Sequence, residues 1–239
     1  MLTMKPVQIR DGMMNPVFID DGNELLLIDC GMKDSFDAIC EAARAKGIDI
    51  GRLSKIIITH HDHDHIGALP YFIKACPNVQ VIATEIEKEY IEGKKTPVRL
   101  IQAEENLKTA ANENRETIVS RIEMLKSLEP GRVDITAKDG DVFDWCGGVQ
   151  IIGTPGHLPG HIAVYIKELK TLFTGDCLNL SGGMLKSANP VFTLDMQLAK
   201  KSVEKLLGLD LVQIICYHGG IFTGDTKSAL EAVIASWPE

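Results

Sequence analysis

The chain has 239 residues, of which 45% are hydrophobic, with 25 Lys and Arg against 33 Asp and Glu and a formal net charge of −8. That is long enough for a sizeable core, and its acidity works against holding a phosphate backbone, so nucleic acid is excluded as the expected partner. No apolar run reaches the roughly 18 to 20 residues of a membrane span, and the start, MLTMKPVQIRDG, lacks the apolar stretch of a signal peptide. The six cysteines, at 30, 40, 76, 146, 177 and 216, form no CxxC pair and read as free thiols. The expectation is a cytoplasmic protein with a small-molecule substrate and no membrane partner.

In chain order, Glu24–Asp29 is a short apolar strand stopped by Cys30-Gly31. Asp34 opens a helical pattern with Phe36, Ile39, Cys40 and Ala43 on one face and Gly47 as its C-cap. Lys55–Thr59 reads as a buried strand rich in β-branched residues. Ile66–Ala75 reads as a helix with Pro70 in its first turn, and Val79–Ala83 as another strand. Residues 85–128 differ: Leu107, Ala111, Asn114, Ile118, Ile122 and Leu125 recur at intervals of three and four, which predicts one amphipathic helix, preceded by a shorter one near Glu85–Ile91. Its apolar stripe is compatible with a cap over a site or with a homodimer surface.

After the turn at Asp139-Gly140-Asp141, Val149–Ile152, Ile162–Ile166 and Thr171–Thr174 read as strands. Asp195–Leu207 reads as a helix, Val212–Tyr217 as a strand and Thr226–Ser236 as a final helix. Strands alternating with helices argue for a layered α/β fold. The two halves resemble each other, since each has a buried strand ending in a His-containing turn.

Residues 60–65 are all His or Asp, reading His-His-Asp-His-Asp-His. Imidazole nitrogen and carboxylate oxygen are ligands for zinc, manganese or iron, and the cluster lies between an apolar strand and a helix start, where several side chains can converge. One such histidine is usually an ordinary surface or core residue; six ligand-type residues in a row at a strand end are not. Three later segments repeat the placement: GTPGHLPGH over Gly153–His161, TGD over Thr174–Asp176, and Tyr217-His218-Gly219-Gly220 after the strand VQIIC.

These segments resemble the metallo-β-lactamase superfamily, whose Thr-His-x-His-x-Asp-His, TPGH, GD and final His-Gly signatures fall at Thr59–His65, Thr154–His157, Gly175-Asp176 and His218-Gly219. The resemblance covers nearly the whole chain. It implies an α/β fold, an αββα four-layer sandwich, over 1–239 as a single domain, with a helical insertion at about 85–128. It also implies two divalent metal ions: His60, Asp62 and His157 on the first, Asp64, His65 and His218 on the second, and Asp176 bridging. Asp29 would support the ligand loop through hydrogen bonds, and His161 would stay outside the ligand set. Asp62 departs from the family pattern, standing where a histidine is usual, which favours manganese or iron over zinc. A rival register pairs His61 with His63.

The implied activity is hydrolysis of an ester, thioester or lactone by a metal-bound hydroxide, with Asp64 orienting it. Water on such an ion ionises at roughly pH 7. A phosphodiesterase on the same scaffold, a di-iron oxidoreductase and a non-catalytic metal-binding protein are the alternatives. The di-iron class normally carries a flavodoxin-like domain after the sandwich, whereas this sequence stops at Glu239. Asn179 stands where lactonase-like members tend to have tyrosine, which weighs against that subclass. Cys177, beside Asp176, reads as a buried thiol rather than a nucleophile.

Overall fold

A computed structural model describes residues 4, 6–10 and 12–238. The first half builds a mixed sheet from β1 (Pro6–Gln8), β2 (Val17–Asp20), β3 (Leu25–Ile28), β4 (Leu53–Ile57), β5 (Gln80–Thr84) and β6 (Ile135–Ala137), hydrogen-bonded in that order. Its first three strands pair antiparallel and its last four parallel. Between them lie α1 (Phe36–Ala45), α2 (His63–Ile66), α3 (Leu69–Ala75), α4 (Glu85–Ile91), α5 (Val98–Thr109) and α6 (Asn112–Lys126).

The second half contributes β7 (Val142–Phe143), β8 (Val149–Gly153), β9 (Ile162–Ile166) and β10 (Thr171–Phe173), then a hairpin of β11 (Leu178–Ser181) and β12 (Met184–Ser187). There follow α7 (Met196–Glu204), β13 (Gln213–Cys216), β14 (Gly220–Phe222) and α8 (Thr226–Ala235). The second sheet runs β14-β13-β10-β9-β8-β7, with only β10 and β13 parallel.

Three apolar layers hold these elements together. Ile19, Leu26 and Ile57 meet Ile151, Val164 and Ile215 between the two sheets. Phe18, Leu27 and Ile56 pack against Ile39, Leu69 and Phe72 on the outer face of the first sheet. Leu172, Ile214 and Cys216 pack against Ala199, Val203 and Leu230 on the outer face of the second. Because both sheets are covered on both faces, their strands are apolar runs rather than alternating ones. This is the expected αββα sandwich. Among the described residues no helix is long and apolar enough to cross a membrane.

Most expected elements are present within a residue or two. Pro70 stands in the first turn of α3, and Gly47 follows the end of α1 with φ +81°. The single helix expected through Leu107 and Leu125 is instead two, because Ala110 and Ala111 adopt extended backbone. The chain folds back there so that Leu100 and Ala103 of α5 pack on Ile122 and Leu125 of α6. The periodicity runs through the turn unbroken, and neither Gly nor Pro marks it. The β11–β12 hairpin also escaped the pattern, although Gly182-Gly183, with φ +58° and +75°, is a typical two-residue hairpin turn.

At Gly219, φ is +109° and a Cβ would lie 1.9 Å from the Leu180 carbonyl oxygen. Gly219→Ala is expected to cost about 3 kcal/mol or more from backbone strain and overpacking together. Thermal unfolding reads this, with Gly208→Ala, which meets nothing within 4 Å, as the control. Equal melting of the two variants would contradict the close approach.

Candidate metal centre

The His/Asp cluster leaves the C-terminal end of β4, and Asp29, at the end of β3, fixes it. The Asp29 carboxylate accepts the Thr59 N–H and the Thr59 hydroxyl, both at 2.8 Å. It also faces His65 Nδ1 at 2.8 Å and takes its N–H, which turns Nε2 inward. Having given its hydrogen to Asp29, Thr59 Oγ1 accepts from His60 Nδ1 at 3.1 Å, which turns His60 Nε2 inward too. His157, on the loop after β8, is oriented by Thr193, whose hydroxyl lies 3.4 Å from Nδ1 and itself donates to the Asn189 carbonyl.

His161 accepts the Asp176 N–H on Nε2 at 3.0 Å and meets Thr154 Oγ1 through Nδ1 at 2.8 Å. Both its nitrogens are engaged, so it positions Asp176 instead of joining the donors. His218 follows β13. Asn15 donates to the Tyr217 carbonyl at 2.7 Å and Leu180 N–H to the His218 carbonyl at 3.0 Å, while the Tyr217 hydroxyl donates to the Asp64 carbonyl.

The result is two adjoining donor groups, His60 with His157 and Asp176, and Asp64 with His65 and His218; within each, the ligand atoms lie within 4.8 Å of one another. Asp176 reaches both. Its Oδ1 is 3.3 Å from His65 Nε2, and its Oδ2 is 3.5 Å from His218 Nε2 and 3.7 Å from His157 Nε2. His60 Nε2, His65 Nε2 and Asp176 Oδ1 are buried with no hydrogen-bond partner among the described residues. Buried polar atoms left unpaired are costly, and these, one histidine from each donor group and the aspartate between them, fit cations.

The local electrostatics agree. Burial, with His65 beside it, holds the His60 ring well below the usual imidazole range, leaving a neutral donor. Burial works to raise the Asp176 carboxyl but is outweighed by His65, His218 and His157, so it stays well below the usual carboxylate range. For His218, burial is outweighed by Asp176 and Asp64, which push the ring up to about 10. In the metal-free chain both ring nitrogens therefore carry protons at neutral pH, and a cation must displace the one on the nitrogen it binds. Metal affinity is therefore expected to rise with pH toward about 10 and uptake to release protons. Calorimetry in buffers of different ionisation enthalpy measures the release, and a pH-independent affinity would contradict it.

Asp62 lies beside the first group, its Oδ2 at 3.1 Å from His157 Nε2 and 3.6 Å from His60 Nε2. Arg99, at the start of α5, grips the same carboxylate: Nε donates to both oxygens at 2.9 and 2.8 Å, and Nη2 lies 2.7 Å from Oδ2. Arg99 Nη2 is also 3.0 Å from His157 Nε2. Sequence reasoning missed this arginine, which lies 37 residues from Asp62 in a segment read only as a helical cap.

His61 turns away from the donors. Glu87 takes its backbone N–H and Nδ1, Val98 N–H reaches Nε2 at 3.4 Å, and its ring stacks on Tyr90. The register pairing His61 with His63 is therefore not what the fold brings together. Cys177 is fully buried and burial pushes its thiol up, which suits a core residue. All six cysteines are free thiols.

The sequence pattern of the Metallo-beta-lactamase superfamily matches residues 9–218, and the chain belongs to that family. It is a metal-dependent hydrolase of that superfamily. It is similar to the probable metallo-hydrolase YflN of Bacillus subtilis, 27% identical over 84% of this chain and 78% of the relative. It is also similar to the hydroxyacylglutathione hydrolase of Aliivibrio fischeri, 28% identical over 70% of this chain but only 48% of that protein. Among solved structures, the metallo-beta-lactamase family protein TTHA1429 from Thermus thermophilus shares the fold with a TM-score of 0.72 at 21% identity, covering 98% of this chain and 78% of that one.

Proposed function

We propose that the chain hydrolyses a small ester, thioester or lactone at a two-cation centre. His60, Asp62 and His157 would hold one cation and Asp64, His65 and His218 the other, with Asp176 available to both. The observation that carries this reading is the sharing of Asp176 between two donor groups with orphaned inward atoms. Zinc, manganese or iron bound there supplies Lewis acidity, which ionises water near neutral pH and polarises the acyl oxygen. Asp64 lines the cleft, where it would orient the attacking water. Thr59, Asp29 and His161 keep the donors from turning away.

Asp62, Asp64, Asp176 and His218 line a cleft of about 330 Å³, together with Arg121, Asn189 and Phe192. That space suits a small molecule. The α5–α6 hairpin supplies Arg99 and Arg121 and acts as the cap. Support for a thioester comes from the hydroxyacylglutathione hydrolase relative, of which the chain spans about half.

A panel of esters, thioesters, lactones and phosphodiesters, with the chain loaded separately with zinc, manganese and iron, tests the reading. Acyl substrates are expected to turn over and a chelator to stop them. Turnover of phosphodiesters alone would replace this reading with a phosphodiesterase, and oxygen consumption without hydrolysis would replace it with a redox protein. Arg121→Ala is expected to raise KM by roughly tenfold while metal content stays unchanged, since Arg121 lines the cleft and is not one of the donors. Unaltered kinetics would remove the hairpin from the substrate site.

A further inference from the structure

We infer that Arg99 sets the order and strength of metal loading: its guanidinium competes for the donor atoms of the His60–Asp62–His157 position, so the Asp64–His65–His218 position fills first and tightly. This rests on the two-cation reading above.

His157 has one lone pair to offer. Its Nδ1 faces the Thr193 oxygen at 3.4 Å, and its Nε2, the nitrogen turned toward the donors, faces Asp62 Oδ2 at 3.1 Å. Arg99 Nη2 lies 3.0 Å from that Nε2. A cation at this position needs the same nitrogen. It also needs an oxygen of Asp62, and both oxygens already receive Arg99 N–H groups at 2.9 Å or less. A guanidinium cannot shed its charge by losing a proton, so it repels an incoming cation as long as it stays.

Arg99 is also built in. It is only 3% exposed. Its Nη1 donates to Gln102 at 3.1 Å, the Phe192 ring lies 5.8 Å from its Cζ, and the preceding Val98 N–H is tied to His61 on the ligand loop. At the other position no guanidinium stands in the way: the side chains paired with His65 and His218 are the carboxylates of Asp29, Asp64 and Asp176, and what a cation displaces there is a proton that solvent takes up. Two positions that share Asp176 are thus unequal because of one side chain that is not itself a ligand.

The test is metal titration of the full chain after chelator stripping, with zinc followed by calorimetry and with manganese followed by paramagnetic resonance, which separates one isolated ion from a coupled pair. The wild type is expected to bind one tight equivalent and a second roughly 100-fold or more weaker. In Arg99→Gln the gap is expected to shrink to about tenfold or less, because the fork and the charge are both gone. Arg99→Lys, which keeps the charge and loses the fork, should fall between them. Two equally tight equivalents in the wild type overturn the inference, as does an unchanged gap in the variants. Should Arg99→Gln fail to fold, the wild type and Arg99→Lys decide between the same two outcomes. Graded binding without turnover of any substrate would defeat the hydrolase mechanism and leave this inference standing; no binding at all would defeat both.

Discussion

Replacing Asp176 by alanine is expected to lower kcat/KM by about a thousandfold or more. The reason is that its carboxylate reaches His65, His157 and His218 together and so belongs to both donor groups. Losing it weakens both cation positions at once, and Lewis-acid stabilisation is worth several kcal/mol at about 1.4 kcal/mol per tenfold in rate. The backbone is expected to hold, because His161 grips the Asp176 N–H and not its side chain. Elemental analysis beside steady-state kinetics on a folded variant measures this. Retained metal with retained rate would show that the two positions do not depend on a shared ligand.

Asp29→Ala should act through stability as well as metal. The buried carboxylate satisfies the Thr59 N–H, the Thr59 hydroxyl and His65 Nδ1, and alanine leaves them without their acceptor in a site closed to water. The expected cost is roughly 3–5 kcal/mol of folding free energy, the scale at which a buried charged hydrogen-bond network fails when one partner is removed. Metal affinity should fall about 10- to 100-fold at the position that uses His65, because its ring loses the partner that sets its tautomer. Melting curves with and without added metal separate the two effects. A variant as stable as the wild type but poorer in metal would reduce Asp29 to an orienting role alone.

The site was legible where it depends on residue type and on chain order. The run His60–His65 at a strand end, the TPGH around His157, the GD at Asp176 and the His-Gly at His218 each carry ligand chemistry at the close of an apolar strand. The fold brings all of them to one place. The helical segment was legible only in part. Its periodicity marked an amphipathic helix, but periodicity cannot register a reversal, and the break at Ala110-Ala111 has no Gly or Pro to announce it. Short edge strands such as β1 and β14 escaped because three residues carry too little pattern to distinguish from a loop.

The amino-acid sequence by itself determined the layered α/β fold, the family and the candidates for cation ligands, because strand hydrophobicity and ligand chemistry are properties of local composition. Only the tertiary structure decided what those residues are free to do. It committed both nitrogens of His161 to Thr154 and the Asp176 backbone, turned His61 toward Glu87, and set Arg99 against Asp62. Each outcome depends on a partner 7 to 37 residues distant. A lone pair is committed by the atom that reaches it in space, and spacing along the chain does not say which atom that is.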